Sequence, residues 1–299
     1  MRILRQKLAK NQTQLELDIG RPYELDRNAH LGGKSFYFFD FDDNVAYLST
    51  PIVIFHKQTG EEKTISSGEF ARENKNIGTD GKFADYFLNF DDFKGSFRHF
   101  RDKNFSLIDK IIRKKQLFLK DIESALETKD YGWKAPSWNC FYHATFNRRP
   151  VSIITARGHN QETIMDGINL MVRDGHLPHT PNYLSIYPVS NPDVRLELGD
   201  KKLVQSVPEL KRAAIRESVE KAIQVYGHSP YHRFGMSDDD PKNVELITEE
   251  MKELKRKYSD MSFFVIYTKQ NTFEKKEIII PRKRRTPSSE PKPEQLGLF

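Results

Sequence analysis

Carboxylates gather at two points of the 299-residue chain, each directly after an apolar run. The run at 35–41 (SFYFFDF) includes Asp40 and leads into Asp42, and the run at 232–236 (HRFGM) is followed by the aspartates at 238–240. Negative charges brought this close repel one another unless a cation lies among them. Carboxylate oxygens are the ligands that Mg²⁺ prefers, so the two acidic groups predict a magnesium site if the fold brings them together.

A third apolar run, 151–155 (VSIIT), ends in Thr155 and is followed by Arg157 and His159. All three runs have the composition of strands buried in a parallel sheet. Ligands of such sheets bind beyond the carboxyl ends of the strands, where side chains from neighbouring strands converge. The sequence therefore predicts one site built from all three strand ends. Arg157 and His159 are candidates for substrate contact, and capping of the following helix is the alternative interpretation.

The spacing of Asp40 and Asp42 suits proton transfer beside a reacting group. Alternate residues of a strand point the same way, so one carboxylate can face a substrate while the other lies close enough to move protons. Aspartates after strands also form turns and helix caps. Asp240 precedes a predicted helix and is a candidate for that structural role.

Apolar runs and helical periodicity predict an alternating set of elements. Further strands are predicted at 183–189, 263–268 and, as a short edge strand, 278–280, and helices at 161–173, 209–226 and 241–258. Strands that alternate with helices indicate an α/β fold with a doubly wound, Rossmann-like parallel sheet.

The stretch 46–149 interrupts this alternation and is longer than one crossover connection needs. We interpret it as an inserted, mainly helical cap that follows the first strand and contains a helix at 107–126. Residues 1–45 and 150–281 then form the core domain, and 282–299 form a disordered basic tail.

Aromatic and basic residues are interleaved in the insert. Phe93, Phe97 and Phe100 recur at helical spacing, which is typical of a stripe that faces a core. The alternative is a surface that stacks bases and binds phosphates.

Three segments resemble motifs of the haloacid dehalogenase-like (HAD) superfamily. DFDDNV at 40–45 resembles its first motif, ITARGH at 154–159 its second and FGMSDDDPKN at 234–243 its fourth. They occur in the family's order, each with a predicted strand, and frame the chain from about Phe36 to Thr268. The resemblance implies a HAD-like fold and a Mg²⁺-dependent phosphatase, a hydrolase that acts on phosphomonoesters. It covers neither the insert nor the tail.

The resemblance also implies a role for each matching residue. Asp40 would attack phosphorus and form an aspartyl-phosphate, and Asp42 would protonate the leaving group and later activate water. Thr155 would hydrogen-bond the phosphoryl oxygens. Asp238 and Asp239 would hold Mg²⁺ together with the Asp40 carboxylate and the Asp42 main-chain carbonyl.

The third HAD motif is a lysine near the start of a helix, which neutralises the phosphoryl group. Lys211 fits best because it lies in the first turns of the helix predicted at 209–226, and Lys201 and Lys202 are the alternatives.

Two departures from the HAD pattern leave assignments open. Asp43-Asn44 stands where the first motif usually has Gly-Thr, and Asn44 offers an amide to the substrate in place of the hydroxyl. Met236-Ser237 replaces the usual residues before the fourth motif's aspartate, so the metal ligand among 238–240 is not fixed.

The last five residues, QLGLF, resemble the QLxLF peptide by which bacterial proteins bind the DNA-polymerase sliding clamp. Apolar side chains at the end of a solvated tail can fill a groove on a partner. The candidate contacts are Gln295, Leu296, Leu298 and Phe299. The basic residues at 282–285 suit nucleic acid as a further partner.

Composition limits the setting of the protein. The net charge is +6, and the single cysteine, Cys140, excludes an intramolecular disulfide, which favours the cytoplasm. The sequence has no apolar run of about 20 residues, so we expect no membrane partner. The HAD resemblance implies a Mg²⁺-dependent phosphomonoesterase, and the clamp-like tail and the basic insert favour nucleic-acid or nucleotide phosphates as its substrates. The alternatives are a small-metabolite phosphatase and a non-catalytic, metal-binding adaptor recruited to the sliding clamp.

Overall fold

A computed structural model describes residues 4–7, 22–128, 131–269 and 272–280. The disordered tail predicted for 282–299 and its clamp-binding-like peptide lie outside the described residues. In the described part of the chain, no helix combines the length and the apolar character that a membrane crossing requires.

Strands and helices alternate along most of the described chain. The strands are β1 (Leu4–Lys7), β2 (Ser35–Phe39), β3 (Ile52–His56), β4 (Glu62–Ile65), β5 (Tyr86–Phe87), β6 (Pro150–Thr155), β7 (Asn182–Pro188), β8 (Arg233–Asp238), β9 (Ser262–Lys269) and β10 (Thr272–Glu277). The helices are α1 (Ser67–Glu73), α2 (Leu107–Ile111), α3 (Leu117–Leu126), α4 (Trp138–Phe146), α5 (Gln161–Arg173), α6 (Pro192–Glu197), α7 (Val207–Tyr226) and α8 (Pro241–Lys257).

The larger sheet has seven strands within the described residues, in the order β1-β10-β9-β8-β2-β6-β7. The five strands from β9 to β7 are parallel, and β10 and β1 join antiparallel at one edge. From β2 the chain proceeds to β6 and β7 on one side, and then returns to β8 and β9 on the other. The winding therefore reverses beside β2, which is where open α/β sheets have a crevice for ligands.

Helices cover both faces of this sheet. On one face, α7 and α8 pack over buried residues such as Phe36, Phe234 and Val265. On the other face, α3, α4 and α5 pack over residues such as Phe39 and Ile153. The prediction of an α/β fold with a mostly parallel sheet and helices is confirmed.

Three helix predictions and the five main strand predictions match the observed elements within a few residues. Two other predictions are wrong. The helix predicted at 107–126 is divided into α2 and α3, because Arg113 has a positive φ of 52° and ends the first helix. The edge strand predicted at 278–280 is absent from those residues, and β10 lies just before them, where it pairs antiparallel with β9.

The insert at 46–149 contains two structural parts. Strands β3, β4 and β5 form a small antiparallel sheet with its own buried cluster, which includes Ile54 and Phe83. The later helices α3 and α4 instead bury Phe118 and Phe141 in the core beneath the larger sheet.

The helical stripe predicted for Phe93, Phe97 and Phe100 is wrong. Residues 91–97 form turns, and only Arg98–Phe100 form a short 3-10 helix. Gly95 explains the turn, since a Cβ there would lie 2.1 Å from the Asp91 carbonyl oxygen. Phe97 and Phe100 pack against the small core, whereas Phe93 is 76% exposed.

Candidate metal centre

Three carboxylates converge at the carboxyl ends of β2 and β8. Asp40, Asp238 and Asp239 each offer an oxygen, and these oxygens lie within 4.8 Å of one another. The pairing of β2 with β8 creates this arrangement, because it brings the ends of the two strands side by side. The Asp40 N–H donates to the Ser237 carbonyl oxygen at 3.0 Å, which extends the pairing to the acidic residues themselves. Asp40 and Asp238 are buried, and Asp239 is partly exposed.

Burial and mutual repulsion raise pKa values within this group. Burial, followed by the charges of Asp238 and Asp239, raises the pKa of Asp40 well above its ordinary value despite the nearby Lys211. Burial and the Asp238 charge raise the pKa of Asp239 to about 7. The Asp40 Oδ1 atom is buried and accepts no hydrogen bond from the described residues. Three close oxygen donors, one of them without a hydrogen bond, fit a hard divalent cation.

Lys211 supplies a buried positive charge to the same cluster. Its Nζ donates to Asp238 Oδ2 at 2.7 Å and lies 3.1 Å from Asp40 Oδ1, an ion-pair contact without hydrogen-bond geometry. Burial alone would lower the pKa of Lys211, but Asp238 and Asp40 together outweigh it and raise the pKa. Lys201 and Lys202, the alternative lysines, are exposed in the turns before α7. Of the three, Lys211 is the one that contacts the carboxylates.

The aspartates at 238–240 have different surroundings. Asp238 Oδ1 accepts hydrogen bonds from the Asp240 N–H at 3.0 Å and from Asn243 Nδ2 at 3.1 Å. Asp240 is the N-cap of α8 and accepts from the Lys242 N–H at 2.9 Å. Asp240 therefore has the structural role considered for it, and Asp238 and Asp239 join the cluster.

Asn44 joins segments that are distant in sequence. Its Nδ2 donates to the Asp40 carbonyl oxygen at 2.9 Å and to Ser237 Oγ at 2.9 Å. Its Oδ1 accepts from Ser137 Oγ at 2.8 Å and from Thr268 Oγ1 at 2.9 Å. Both ends of this fully buried amide are engaged by protein groups, so Asn44 fixes the position of the Asp40 main chain.

Arg157 binds the Asp42 carboxylate through two parallel contacts. Its Nε donates to Asp42 Oδ2 at 2.8 Å and its Nη2 donates to Asp42 Oδ1 at 2.6 Å. Nη2 also donates to Thr50 Oγ1 at 2.8 Å. The guanidinium is fully buried, with its centre 4.9 Å from the Phe100 ring and 4.5 Å from the Phe118 ring. Bidentate pairing together with stacking holds Asp42 in one orientation.

Thr155 and His159 lie on either side of Arg157 in sequence and are both buried. The Thr155 hydroxyl donates to Asp42 Oδ2 at 3.4 Å, which places it beside the acidic cluster. His159 packs with its ring 5.3 Å from that of Phe118. Burial and the Arg157 charge lower the pKa of His159 to about 2, so its imidazole stays neutral.

The insert is joined to the core next to Arg157. The Gly158 N–H donates to the Phe100 carbonyl oxygen at 2.8 Å, and Asp102 Oδ2 accepts from the Asn160 N–H at 2.8 Å. The second contact satisfies a free N–H at the start of α5. Residues 100–102 therefore tie the insert to the loop that carries Arg157.

Sequence reasoning missed several contributors to this site. Asn243 lies in the first turn of the predicted α8, directly after the acidic group, so its position could have identified it. Thr50, Phe100 and Phe118 come from the insert and belong to no motif, so no local signal connects them with Arg157.

Comparisons of this chain with protein-family models, with curated proteins and with solved structures find no match.

Proposed function

We propose that the chain is a Mg²⁺-dependent phosphomonoesterase of the HAD-like kind, with Asp40 as the nucleophile. The observation that supports this most is the meeting of Asp40, Asp238, Asp239 and Lys211 beside the strand where the winding of the sheet reverses. This arrangement combines a nucleophile, a site for a hard cation and a fixed positive charge. Phosphoryl transfer depends mainly on such positioning and charge stabilisation.

The first step transfers the phosphoryl group to the protein. An Asp40 carboxylate oxygen forms a bond to phosphorus, and the bond between phosphorus and the ester oxygen breaks. Asp42, in its protonated form, donates its proton to that departing oxygen, which leaves as an alcohol. Asp42 lies two residues from the nucleophile and keeps a side-chain exposure of 23%, and it carries the proton after one of its oxygens leaves Arg157.

The second step releases phosphate. Asp42, now a carboxylate, accepts a proton from a water molecule whose oxygen attacks phosphorus, and the bond to Asp40 breaks. The Thr155 hydroxyl donates to a phosphoryl oxygen in both steps, and Lys211 balances the charge of the nucleophile. Asp40, Asp238, Asp239 and the Asp42 carbonyl would hold Mg²⁺, which when bound neutralises charge on the phosphoryl oxygens. Splitting the displacement into two steps makes each of them easier.

Hydrolysis of p-nitrophenyl phosphate tests the proposed function. We expect turnover in Mg²⁺ that is lost in EDTA and restored when Mg²⁺ is added back. A panel of phosphorylated nucleotides, oligonucleotides and small metabolites, assayed by phosphate release, extends the test to the substrate class. If none of these substrates releases phosphate, the proposed phosphatase function is refuted and a non-catalytic role remains.

Replacing Arg157 with lysine should reduce turnover without removing the positive charge. Lysine cannot reproduce the bidentate contact with Asp42 or the stacking between Phe100 and Phe118. We expect kcat to fall roughly 10- to 100-fold for an alkyl phosphate, whose leaving oxygen needs a proton. The loss for p-nitrophenyl phosphate should be smaller, because its leaving group is stable as an anion.

Arg195→Lys provides a matched control for the Arg157 variant. Arg195 also donates through Nε and Nη2 to a buried carboxylate, with both contacts to Asp200 Oδ2, at 2.9 and 2.6 Å. The Arg195→Lys variant therefore measures the stability cost of losing an arginine–carboxylate pair away from the carboxylate cluster. An equal loss for both leaving groups in Arg157→Lys would argue against a role through Asp42.

A further inference from the structure

Two exposed phenylalanines lie in the loop that follows β5. Phe90 is 75% exposed and Phe93 is 76% exposed, although proteins usually bury this residue type. One face of the Phe90 ring stacks on Phe97, with ring centroids 6.0 Å apart. Phe93 makes no ring contact within the described residues. Both rings therefore offer an aromatic face to a partner.

Phe93 forms one wall of a cleft of about 360 Å³. Three basic side chains, Arg98, Arg101 and Lys103, line the same cleft together with Asp92 and Asp102. Its volume lies in the range of pockets that hold small ligands. The cleft therefore combines an aromatic wall with cationic groups.

The charge around this cleft favours a polyanion. Residues 91–115 contain eight lysines or arginines and four aspartates. Arg98 pairs with Glu62 at 2.6 Å and Arg101 pairs with Asp92 at 2.5 Å, whereas Lys94 and Lys103 form no ion pair within the described residues. Burial lowers the pKa of His99, and the charges of Arg98 and Lys103 lower it further.

The cleft is connected to the carboxylate cluster through a short series of contacts. Arg101 lines the cleft, and the preceding residue, Phe100, contacts Arg157 with its ring and Gly158 with its carbonyl oxygen. Arg157 in turn holds Asp42. Arg101, Phe100 and Arg157 therefore link the cleft to Asp42.

We propose that the cleft beside Phe93 binds the single-stranded nucleotides next to a terminal phosphate held at Asp40, an assignment that rests on the proposed function. Bases stack on the exposed faces of Phe93 and Phe90, and Lys94 and Lys103 contact the backbone phosphates. Stacking on aromatic rings beside cations is how proteins bind single strands without reading their sequence. The substrate class is therefore a polynucleotide with a single-stranded, phosphorylated end.

Fluorescence anisotropy with a labelled, unphosphorylated oligothymidylate measures this binding apart from catalysis. We expect Phe93→Ala to weaken binding about 5- to 100-fold. Lys103→Gln should reduce the slope of log K against log salt by nearly 1. Tyr231→Ala, which removes a 42% exposed ring from the core domain, should bind as wild type does. Thermal midpoints of all variants check that each one is folded.

The outcomes separate this inference from the proposed function. Phosphatase activity on p-nitrophenyl phosphate without oligonucleotide binding would refute nucleotide binding by the cleft and support the proposed phosphatase function. The protein could instead bind the oligonucleotide, lose affinity in Phe93→Ala and hydrolyse no phosphate ester. That result would support nucleotide binding by the cleft and refute the phosphatase function. If Phe93→Ala and Lys103→Gln leave oligonucleotide binding unchanged, the cleft is not the binding site. Binding to vesicles of anionic lipid in place of the oligonucleotide would also overturn nucleotide binding by the cleft.

Discussion

Replacing Asp40 with asparagine should abolish phosphatase turnover and leave the chain folded. The amide has nearly the same shape as the carboxylate, but it cannot form the bond to phosphorus that the proposed mechanism requires. Removing a nucleophile typically lowers kcat by at least about 10⁴-fold. The substitution also removes one of the charges that repel each other in the cluster, so we expect no large loss of stability. Hydrolysis of p-nitrophenyl phosphate in Mg²⁺ and thermal unfolding measure the two effects.

A phosphorylated intermediate gives this test a second readout. Acid quenching during turnover should trap a phosphoryl group on the wild-type chain and none on Asp40→Asn. Asp260→Asn is a suitable control, since Asp260 is an exposed carboxylate whose side chain is 44% accessible. If Asp40→Asn kept kcat within tenfold of wild type, Asp40 would not be the nucleophile.

The elements that carry Asp40 and Asp238 were predictable because their signals are local. Each strand is an apolar run that must be buried, and each ends where polar side chains begin. Neighbouring parallel strands then bring their carboxyl ends together, whatever the intervening sequence does. Lys211 could be chosen over Lys201 and Lys202 for a similar reason, because only Lys211 lies within the helical pattern.

The surroundings of these residues were not predictable in the same way. Asn44 was expected to bind substrate, but its amide bonds depend on Ser137 and Thr268, which no pattern connects with it. The contact of Arg157 with Asp42 also depends on an aromatic stack, both rings of which, Phe100 and Phe118, come from the insert. Contacts between distant segments follow from packing, and residue spacing does not encode them.

The prediction of one continuous helix at 107–126 is wrong for a specific physical reason. The apolar periodicity runs from α2 into α3, but Gln116 pairs with the main chain of Lys103, donating to its carbonyl oxygen at 3.0 Å and accepting from its N–H at 2.9 Å. This long-range contact joins the two ends of the 103–116 loop, and the positive φ of Arg113 accommodates the turn. A tertiary contact thus overrides a local helical preference.

Replacing Lys211 with methionine should lower both turnover and stability. Methionine has a similar length and removes only the charge, which leaves Asp40 and Asp238 buried without their shared cation. Breaking a buried ion pair from one side typically costs about 3–5 kcal/mol. We expect kcat to fall roughly 10²- to 10³-fold, the usual effect of losing one group that stabilises transition-state charge. Denaturant unfolding and phosphate release measure the two losses.

Magnesium and a second lysine make the Lys211 test specific. Added Mg²⁺ should restore more stability to Lys211→Met than to wild type, because the cation replaces a positive charge that only the variant lacks. Lys201→Met removes the same charge from an exposed position and should change neither turnover nor unfolding. If Lys201→Met loses activity and Lys211→Met keeps wild-type activity, the phosphate-binding role belongs to Lys201. A Lys211→Met protein whose stability does not respond to Mg²⁺ would contradict a cation held by Asp40, Asp238 and Asp239.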